Sequence, residues 1–193
     1  MFAGIIQKKA AVLSVEKRGG SLAVRIPKPR GWRLKTGESI SINGVCSTVR
    51  KQMSDSFEVE YMPATLKTTT MKSLKKGSVL NLERSLLLKD AVDGHFVQGH
   101  VDVKGEVISV AHNGSRTITI SVPSDALKLM VPWGSVTIDG VSLTIQAVTK
   151  KTFTVALISH TLGETNLGQL KKGDEVNIET DMIARYLAHL TKK

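Results

Sequence analysis

The sequence predicts a mainly β fold in which one barrel occurs twice in tandem and a single α-helix follows the second copy. Three observations carry that expectation. Residues 38–84 fall on residues 134–180 without a gap when moved forward by 96 positions, and about a third of the aligned positions are identical. Short runs of alternating apolar and polar residues recur in both halves. Near the end of the chain the apolar residues change to the helical spacing i, i+3, i+4, i+7.

The repeat sets the domain plan. Ser39-Ile-Ser-Ile-Asn-Gly-Val-Cys-Ser-Thr48 matches Ser135-Val-Thr-Ile-Asp-Gly-Val-Ser-Leu-Thr144, Leu74-Lys-Lys-Gly77 matches Leu170-Lys-Lys-Gly173, and Asn81-Leu-Glu83 matches Asn177-Ile-Glu179. A period of 96 exceeds the ~20–50 residues of solenoid repeats, and each unit is large enough to hold its own core. The expected division is residues 1–90, residues 91–180 and a terminal helical segment at 181–193, with the seam at Asp90 to Gly94.

The strand candidates follow in order. In the first half they are Val12 to Val15, Leu22 to Ile26, Ile40 to Ile42, Phe57 to Tyr61 and Val79 to Leu82. In the second half they are Val107 to Val110, Thr117 to Val122, Val136 to Ile138, Phe153 to Leu157 and Val176 to Ile178. Regular spacing with Gly-rich turns predicts a barrel in each half. Pro123 to Met130 and Thr65 to Leu74 predict short helices between strands. Ile183, Tyr186, Leu187 and Leu190 place an apolar stripe on a helix over 181–191, which has no counterpart after the first copy. So short a helix needs a partner, either its own barrel or other copies of the chain.

Composition narrows the function classes. The net charge of +10 comes from 27 Lys and Arg that are scattered and often at turns, while aromatics make up 4%. That is too few for a base-stacking platform, and no nucleic-acid-binding signature is present, so no nucleic-acid partner is expected. No apolar run approaches the ~18 residues of a membrane span, and the opening Met1 to Ile6 is too short for a signal peptide. The single cysteine, Cys46, excludes an internal disulfide and fits a reducing cytoplasm.

Asn43-Gly44 and Asp139-Gly140 predict two-residue hairpin turns, because both central residues must reach positive φ. In that register Ile42 pairs with Val45, Ser41 with Cys46, Ile40 with Ser47 and Ser39 with Thr48. Side chains alternate along a strand. One face then carries Ile40, Ile42, Val45 and Val49, and the other Ser39, Ser41, Cys46 and Thr48; the second hairpin groups Ser135, Thr137, Ser142 and Thr144. Such a face is either the solvent side of a sheet or a ligand-binding surface. The exclusive use of small hydroxyls and one thiol, which hydrogen-bond without filling a pocket, favours the ligand.

The starts of the copies also align, at offset 95, Ala3-Gly-Ile-Ile6 against Gln98-Gly-His-Val101. The copies differ where Ile5 becomes His100 and where Cys46 becomes Ser142. Two equivalent pockets carrying different reactive groups are expected, with His100 suited to proton movement near neutral pH. No metal site is expected. His95 and His100, five apart, fall on opposite faces of a strand, and His160 with Glu164 has no further ligand cluster. No phosphate loop or dinucleotide fingerprint is present.

Met1-Phe-Ala-Gly-Ile-Ile6, Asn43-Gly-Val-Cys46, Gly94-His-Phe-Val-Gln-Gly-His-Val-Asp102 and Ile138-Asp-Gly-Val-Ser-Leu-Thr144 resemble the riboflavin synthase (lumazine-binding) family over nearly the whole chain. The resemblance implies two six-stranded Greek-key barrels, a homotrimer held by the C-terminal helix, and a site between the N-barrel of one subunit and the C-barrel of its neighbour. It implies a transferase of riboflavin biosynthesis. Two molecules of 6,7-dimethyl-8-ribityllumazine dismutate by four-carbon transfer to riboflavin and 5-amino-6-ribitylaminouracil, with no metal or organic cofactor. Carried over by motif, Gly4, Ile5, Ile6, Cys46, Ser47, Thr48 and the stretch Glu60, Tyr61, Met62, Pro63, Ala64, Thr65 line a first pocket. Gly99, His100, Val101, Ser142, Leu143, Thr144 and the stretch Ala156, Leu157, Ile158, Ser159, His160, Thr161 line a second. Cys46 and His100, assisted by Ser39, Ser142 and Thr144, are the expected catalytic groups.

Four positions depart from the family pattern. Ala3 stands for a usual Thr, Ser47 for a Leu, Asp93 for a Gly, and Trp133 for a Lys thought to reach the neighbouring subunit's ligand. Relatives that hold lumazine or flavin as a light-emitting antenna share the duplicated fold. The survival of His100, Ser142, Thr144 and Thr161 in the second copy favours the enzyme.

Overall fold

The computed structural model describes residues 1–113 and 115–191. The first half contains β1 (Lys8–Ala11), β2 (Ser14–Arg18), β3 (Ser21–Pro27), β4 (Ser39–Ile42), β5 (Val45–Thr48), β6 (Lys51–Gln52), β7 (Ser56–Tyr61), α1 (Pro63–Thr68), a 3-10 turn at Thr70–Ser73, and β8 (Val79–Arg84). The second half contains β9 (Val103–Asn113), β10 (Ser115–Ser121), α2 (Ser124–Leu127), β11 (Ser135–Ile138), β12 (Val141–Val148), β13 (Thr152–Leu157), α3 (Ser159–Glu164), a 3-10 turn at Asn166–Gln169, and β14 (Glu175–Thr180). Helix α4 (Met182–Leu190) follows.

The second half closes into a six-stranded barrel in the order β10-β13-β12-β11-β14-β9. The first half runs the same circuit but is cut at two corners into the sheets β1-β8-β4-β5 and β2-β3-β7-β6. At one corner the amide of Val12 donates to Ser78 O while the next amide, Leu13, donates to Arg25 O. At the other, Val49 donates to Glu38 O and Arg50 to Glu58 O. Neighbouring amides thus serve different strands, and the chain passes from one sheet to the other. The second barrel bends its long strands β9 and β12 with register shifts instead of breaks, as bulges do. Each barrel has its own core, around Ile26, Phe57 and Leu80 in the first and Ile118, Phe153 and Ile178 in the second. Each such side chain adds about 1.5–3 kcal/mol on full burial.

Both hairpins adopt the expected register, Ser39 to Thr48 and Ser135 to Thr144. Asn43 and Gly44 have φ of 45° and 76°, and Asp139 and Gly140 have 45° and 81°, so all four sit in the left-handed region that a two-residue turn demands. The turns pack on each other at the pseudo-symmetric centre. A Cβ on Gly44 would lie 2.7 Å from the amide nitrogen of Gly140, and one on Gly140 equally close to Gly44. Asn81 Nδ2 donates to Asp139 O at 2.9 Å, and Asn177 Nδ2 donates to Asn43 O at 2.8 Å. The repeated Asn81 and Asn177 therefore bolt the barrels together.

The segments leading into the barrels cross over. Phe2 and Val97 exchange backbone bonds, Phe2 N to Val97 O at 2.7 Å and Val97 N to Phe2 O at 3.0 Å. Beyond that bridge each segment lies against the other copy's hairpin. The segment around His95 and His100 is irregular rather than a strand, which corrects the expected placement of the two histidines on opposite strand faces.

Helix α4 starts at Asp181, whose side chain accepts from Ile183 N at 2.8 Å. Its stripe of Ile183, Tyr186, Leu187 and Leu190 is 54–75% exposed, so its own barrel is not the partner. The last two residues of the terminal segment, 192–193, lie outside the described residues. Among the described residues no helix is long and apolar enough to cross a membrane.

Candidate functional site

The crossing re-sorts the two groups of site residues. Gly4 O accepts from Ser142 N at 2.8 Å, and Gly99 O accepts from Cys46 N at 2.8 Å. Ile6 packs on the core of the second barrel and Val101 on that of the first. The expected grouping of Gly4, Ile5 and Ile6 with Cys46, and of Gly99, His100 and Val101 with Ser142, is thus corrected. Each segment serves the opposite barrel. Contact is tight at both points, since a Cβ on Gly4 would meet Ser142 at 2.6 Å and one on Gly99 would meet the Cys46 amide at 2.7 Å.

The turn that carries His100 therefore lies against the hairpin that carries Cys46. Cys46 is half-buried, His100 is exposed, and Thr48 and Ser39 lie further along the same hairpin face. Ser47 points the other way, into the core. Its hydroxyl donates to Val45 O at 2.8 Å and lies 3.1 Å from the Tyr61 hydroxyl. Tyr61 is buried, and burial pushes its phenol pKa up. Ser47 and Tyr61 can offer only backbone groups to a ligand. The same holds for Leu143 and Leu157, whose side chains belong to the second core.

Likewise the turn that carries Ile5 lies against the hairpin that carries Ser142 and Thr144, the second candidate site. Thr144 and Ile5 are exposed, and Ser142 is half-buried. His95, part of the Gly94-to-Asp102 motif but not among the expected site residues, joins it: His95 Nδ1 lies 2.8 Å from Ser142 Oγ. Burial lowers the His95 pKa, and which of the two atoms donates depends on the ring's tautomer. The repeat could not flag His95, because a position 95 residues earlier precedes Met1.

Both strand-to-helix stretches end in short helices, α1 and α3, with no side-chain cap at their starts. Met62, Pro63, Ala64, Ile158, Ser159 and His160 are exposed, and Thr65 and Thr161 are half-buried. The stretches differ at their first residue. Glu60 is tied to Ser21 Oγ and to Arg50 Nε, the latter at 3.2 Å. Ala156 stands in its place and opens with Ile158 and Ser159 onto a cleft of about 470 Å³ that His112 and Arg116 also line. Trp133 is 75% exposed with φ of 69°, while its repeat counterpart Gly37 has φ of 88°. An aromatic residue thus occupies a left-handed position that the first copy gives to glycine.

Two buried glutamates hold the crossing segments. Glu83 accepts from Ala3 N at 2.7 Å and from Gly4 N at 3.1–3.2 Å. Glu179 accepts from Gln98 N at 2.7 Å, Gly99 N at 2.9 Å and His100 N at 3.0 Å. Burial pushes Glu83 up to about 7 against the pull of these donors, and raises Glu179 likewise. Between these rows and the hairpin edges lie Ser41 and Thr137, buried with hydroxyls that have no hydrogen-bond partner. The hydroxyl face is thus divided, its inner half forming the seam between barrels and its outer half, with Ser39, Thr48, Ser135 and Thr144, opening outward.

A family model described as "Lumazine binding domain" matches twice, at residues 3–85 and 98–181. The chain belongs to the lumazine-binding family. The two matches begin at Ala3 and Gln98, the residues whose amides the two glutamates bind. Within the family, the chain is 37% identical to the riboflavin synthase of Bacillus subtilis, over 100% of this chain and 91% of that one. It is 38% identical to the riboflavin synthase of Brucella abortus, over 100% and 98%. Among solved structures, LumP complexed with riboflavin superposes with a TM-score of 0.86, covering 93% of this chain and 99% of that one at 24% identity. This likeness establishes the duplicated lumazine-binding fold.

Proposed function

We propose that the chain is a riboflavin synthase, an enzyme that dismutates two molecules of 6,7-dimethyl-8-ribityllumazine. One molecule gives four carbons to the other, yielding riboflavin and 5-amino-6-ribitylaminouracil. The observation that carries this reading is full-length similarity to riboflavin synthases at 34–38% identity. One molecule is donor and the other acceptor, so the reaction needs no external oxidant or reductant.

In this reading each barrel binds one lumazine. The first site offers Cys46, Thr48, Ser39 and His100, with backbone from Glu60 to Thr65. The second offers Ser142, Thr144, Gly4 to Ile6 and the backbone of Ala156 to Thr161. The chemistry removes a proton from the acidic C7 methyl of one lumazine and adds a nucleophile to the other. His100 and Cys46 supply a base and a thiol on one ring. Ser142, bonded to His95, supplies an activated hydroxyl on the other. Holding the two rings face to face lowers the barrier further by removing the entropy of their encounter.

The same reading makes the protein a cytoplasmic homotrimer in which other copies cover the stripe of α4. The exposure of that stripe supports it. Trp133, standing clear of its own barrel, packs on a neighbouring subunit's ligand; its ring can stack but supplies no ammonium. The alternative is an antenna protein that binds without turnover, for which the shared fold of LumP is the supporting observation. Purified protein incubated with ribityllumazine alone decides between them. Riboflavin appearing without added cofactor supports the enzyme, and a bound, unchanged chromophore supports the antenna.

A further inference from the structure

The two copies grip their crossing segments differently. Glu83 holds the Ala3–Gly4 amides and, among the described residues, forms no ion pair with an arginine, the neighbouring Arg84 pairing with Glu38 instead. Glu179, whose side chain is 2% exposed, has Arg185 Nη2 3.8 Å away. Arg185 projects from α4, the element with no counterpart after the first copy. Its guanidinium donates through Nη2 to Gln98 Oε1 at 2.7 Å and through Nη1 to Asp102 Oδ1 at 2.9 Å.

Asp102 marks a second difference. Its other oxygen, Oδ2, accepts from Thr180 N and Thr180 Oγ1, each at 2.8 Å. In the first copy Gln7 holds the equivalent place, and Gln7 Oε1 accepts from Arg84 N at 3.2 Å. The backbone-binding role is thus shared, but only the second copy uses a carboxylate, which leaves one charged oxygen free to receive the guanidinium. A fork held by an amide oxygen, a carboxylate and a second carboxylate within 4 Å is a directional clamp. It links Gln98, the first residue of the turn Gln98-Gly-His100, to Asp102, two residues beyond the last, and the middle residue of that turn binds Cys46 N.

We propose that Arg185 is a positioning residue for the site of Cys46 and His100, fixing the Gln98–His100 turn to the tail helix. The seating of α4 and the geometry of that site are then one coupled unit, while the Ala3–Ile5 turn at the second site is independent of the helix. Only the kinetic consequence rests on the reading of the chain as a riboflavin synthase.

The test uses the full chain with Arg185→Ala, Arg185→Lys and Asp102→Asn. Amide hydrogen exchange is followed in peptides covering 97–102 and 2–6, beside kcat and KM for 6,7-dimethyl-8-ribityllumazine. Arg185→Ala should speed exchange in 97–102 at least tenfold, leave 2–6 unchanged and lower kcat at least tenfold. Arg185→Lys should recover part of both effects. If Arg185→Ala does not fold, Asp102→Asn should show the same asymmetry to a smaller degree. Unchanged exchange in 97–102, or equal acceleration in both segments, overturns the proposal. A selective change in exchange together with a wild-type protein that makes no riboflavin supports the positioning role and defeats the functional reading instead.

Discussion

The amide of Cys46 donates to the carbonyl of Gly99 across 2.8 Å, so a residue of the first repeat is tied to a turn of the second. The positions where the copies differ, thiol for hydroxyl and imidazole for alkyl, thereby lie on neighbouring stretches of chain, and the proposed chemistry draws on both together.

Cys46→Ser and His100→Gln should then act on a common step. Each is expected to lower turnover by on the order of 100-fold or more, and the double variant should fall little below the worse single one. Steady-state rates of riboflavin formation check this. Fully multiplicative losses would place the two residues in separate steps.

Ser142→Ala removes the partner of His95 Nδ1 in a part-buried pair. A stability loss of about 1–3 kcal/mol is expected, with ligand affinity reduced at the second site alone. Urea unfolding and fluorescence titration with ribityllumazine measure the two effects.

Gly44→Ala and Gly140→Ala each force a methyl to within 2.7 Å of the opposing turn. The clash involves backbone, which cannot rotate away, and the left-handed φ adds its own strain. A destabilisation of about 2–4 kcal/mol is expected for either. Alanine at Gly77, which has nothing within 4 Å, should cost about 1 kcal/mol, for its positive φ alone. Equal losses at Gly44 and Gly77 would deny the turn-to-turn contact.

Glu83 makes stability pH-dependent with a defined sign. Its pKa in the fold, about 7, is above the ordinary 4.5, so the fold favours the protonated form. That contribution is fully present below pH 4.5 and is lost as pH rises through 7. The span amounts to about 3 kcal/mol. Unfolding free energy should fall between pH 5 and 8 in the wild type and fall less steeply in Glu83→Gln. A slope that the variant leaves intact would remove Glu83 as its source.

Leu187→Asp places a charge in the middle of the exposed stripe of α4. Sedimentation should show the variant as a smaller species than the wild type, with the barrels folded. An unchanged sedimentation coefficient would show that the stripe is not the assembly surface.

Much of this molecule is local and was legible as such. The Asn43-Gly44 and Asp139-Gly140 hairpins with their registers and the start of α4 at Asp181 depend on neighbours a few residues away, and the repeat shows in the sequence itself. Ser47, expected among the residues lining the first pocket, instead pairs with Ile40 and turns its hydroxyl to Tyr61. The corners at Val12 and Val49 were not legible, because a strand that changes sheets keeps its alternating pattern while its partners change.

By itself, the sequence determined two β-barrels of common plan, a lone amphipathic helix, and the positions where the copies differ. Only the tertiary structure decided which of those positions meet. The Ala3–Gly4 and Gln98–His100 turns find their acceptors in Glu83 and Glu179, about 80 residues along the chain, and cross at the Phe2–Val97 bridge on the way. No periodicity encodes such a crossing. It is set by burying two carboxylates that need backbone donors and by packing two glycine turns in contact, and it is what brings the turn of Gly99 and His100 to the Cys46 hairpin.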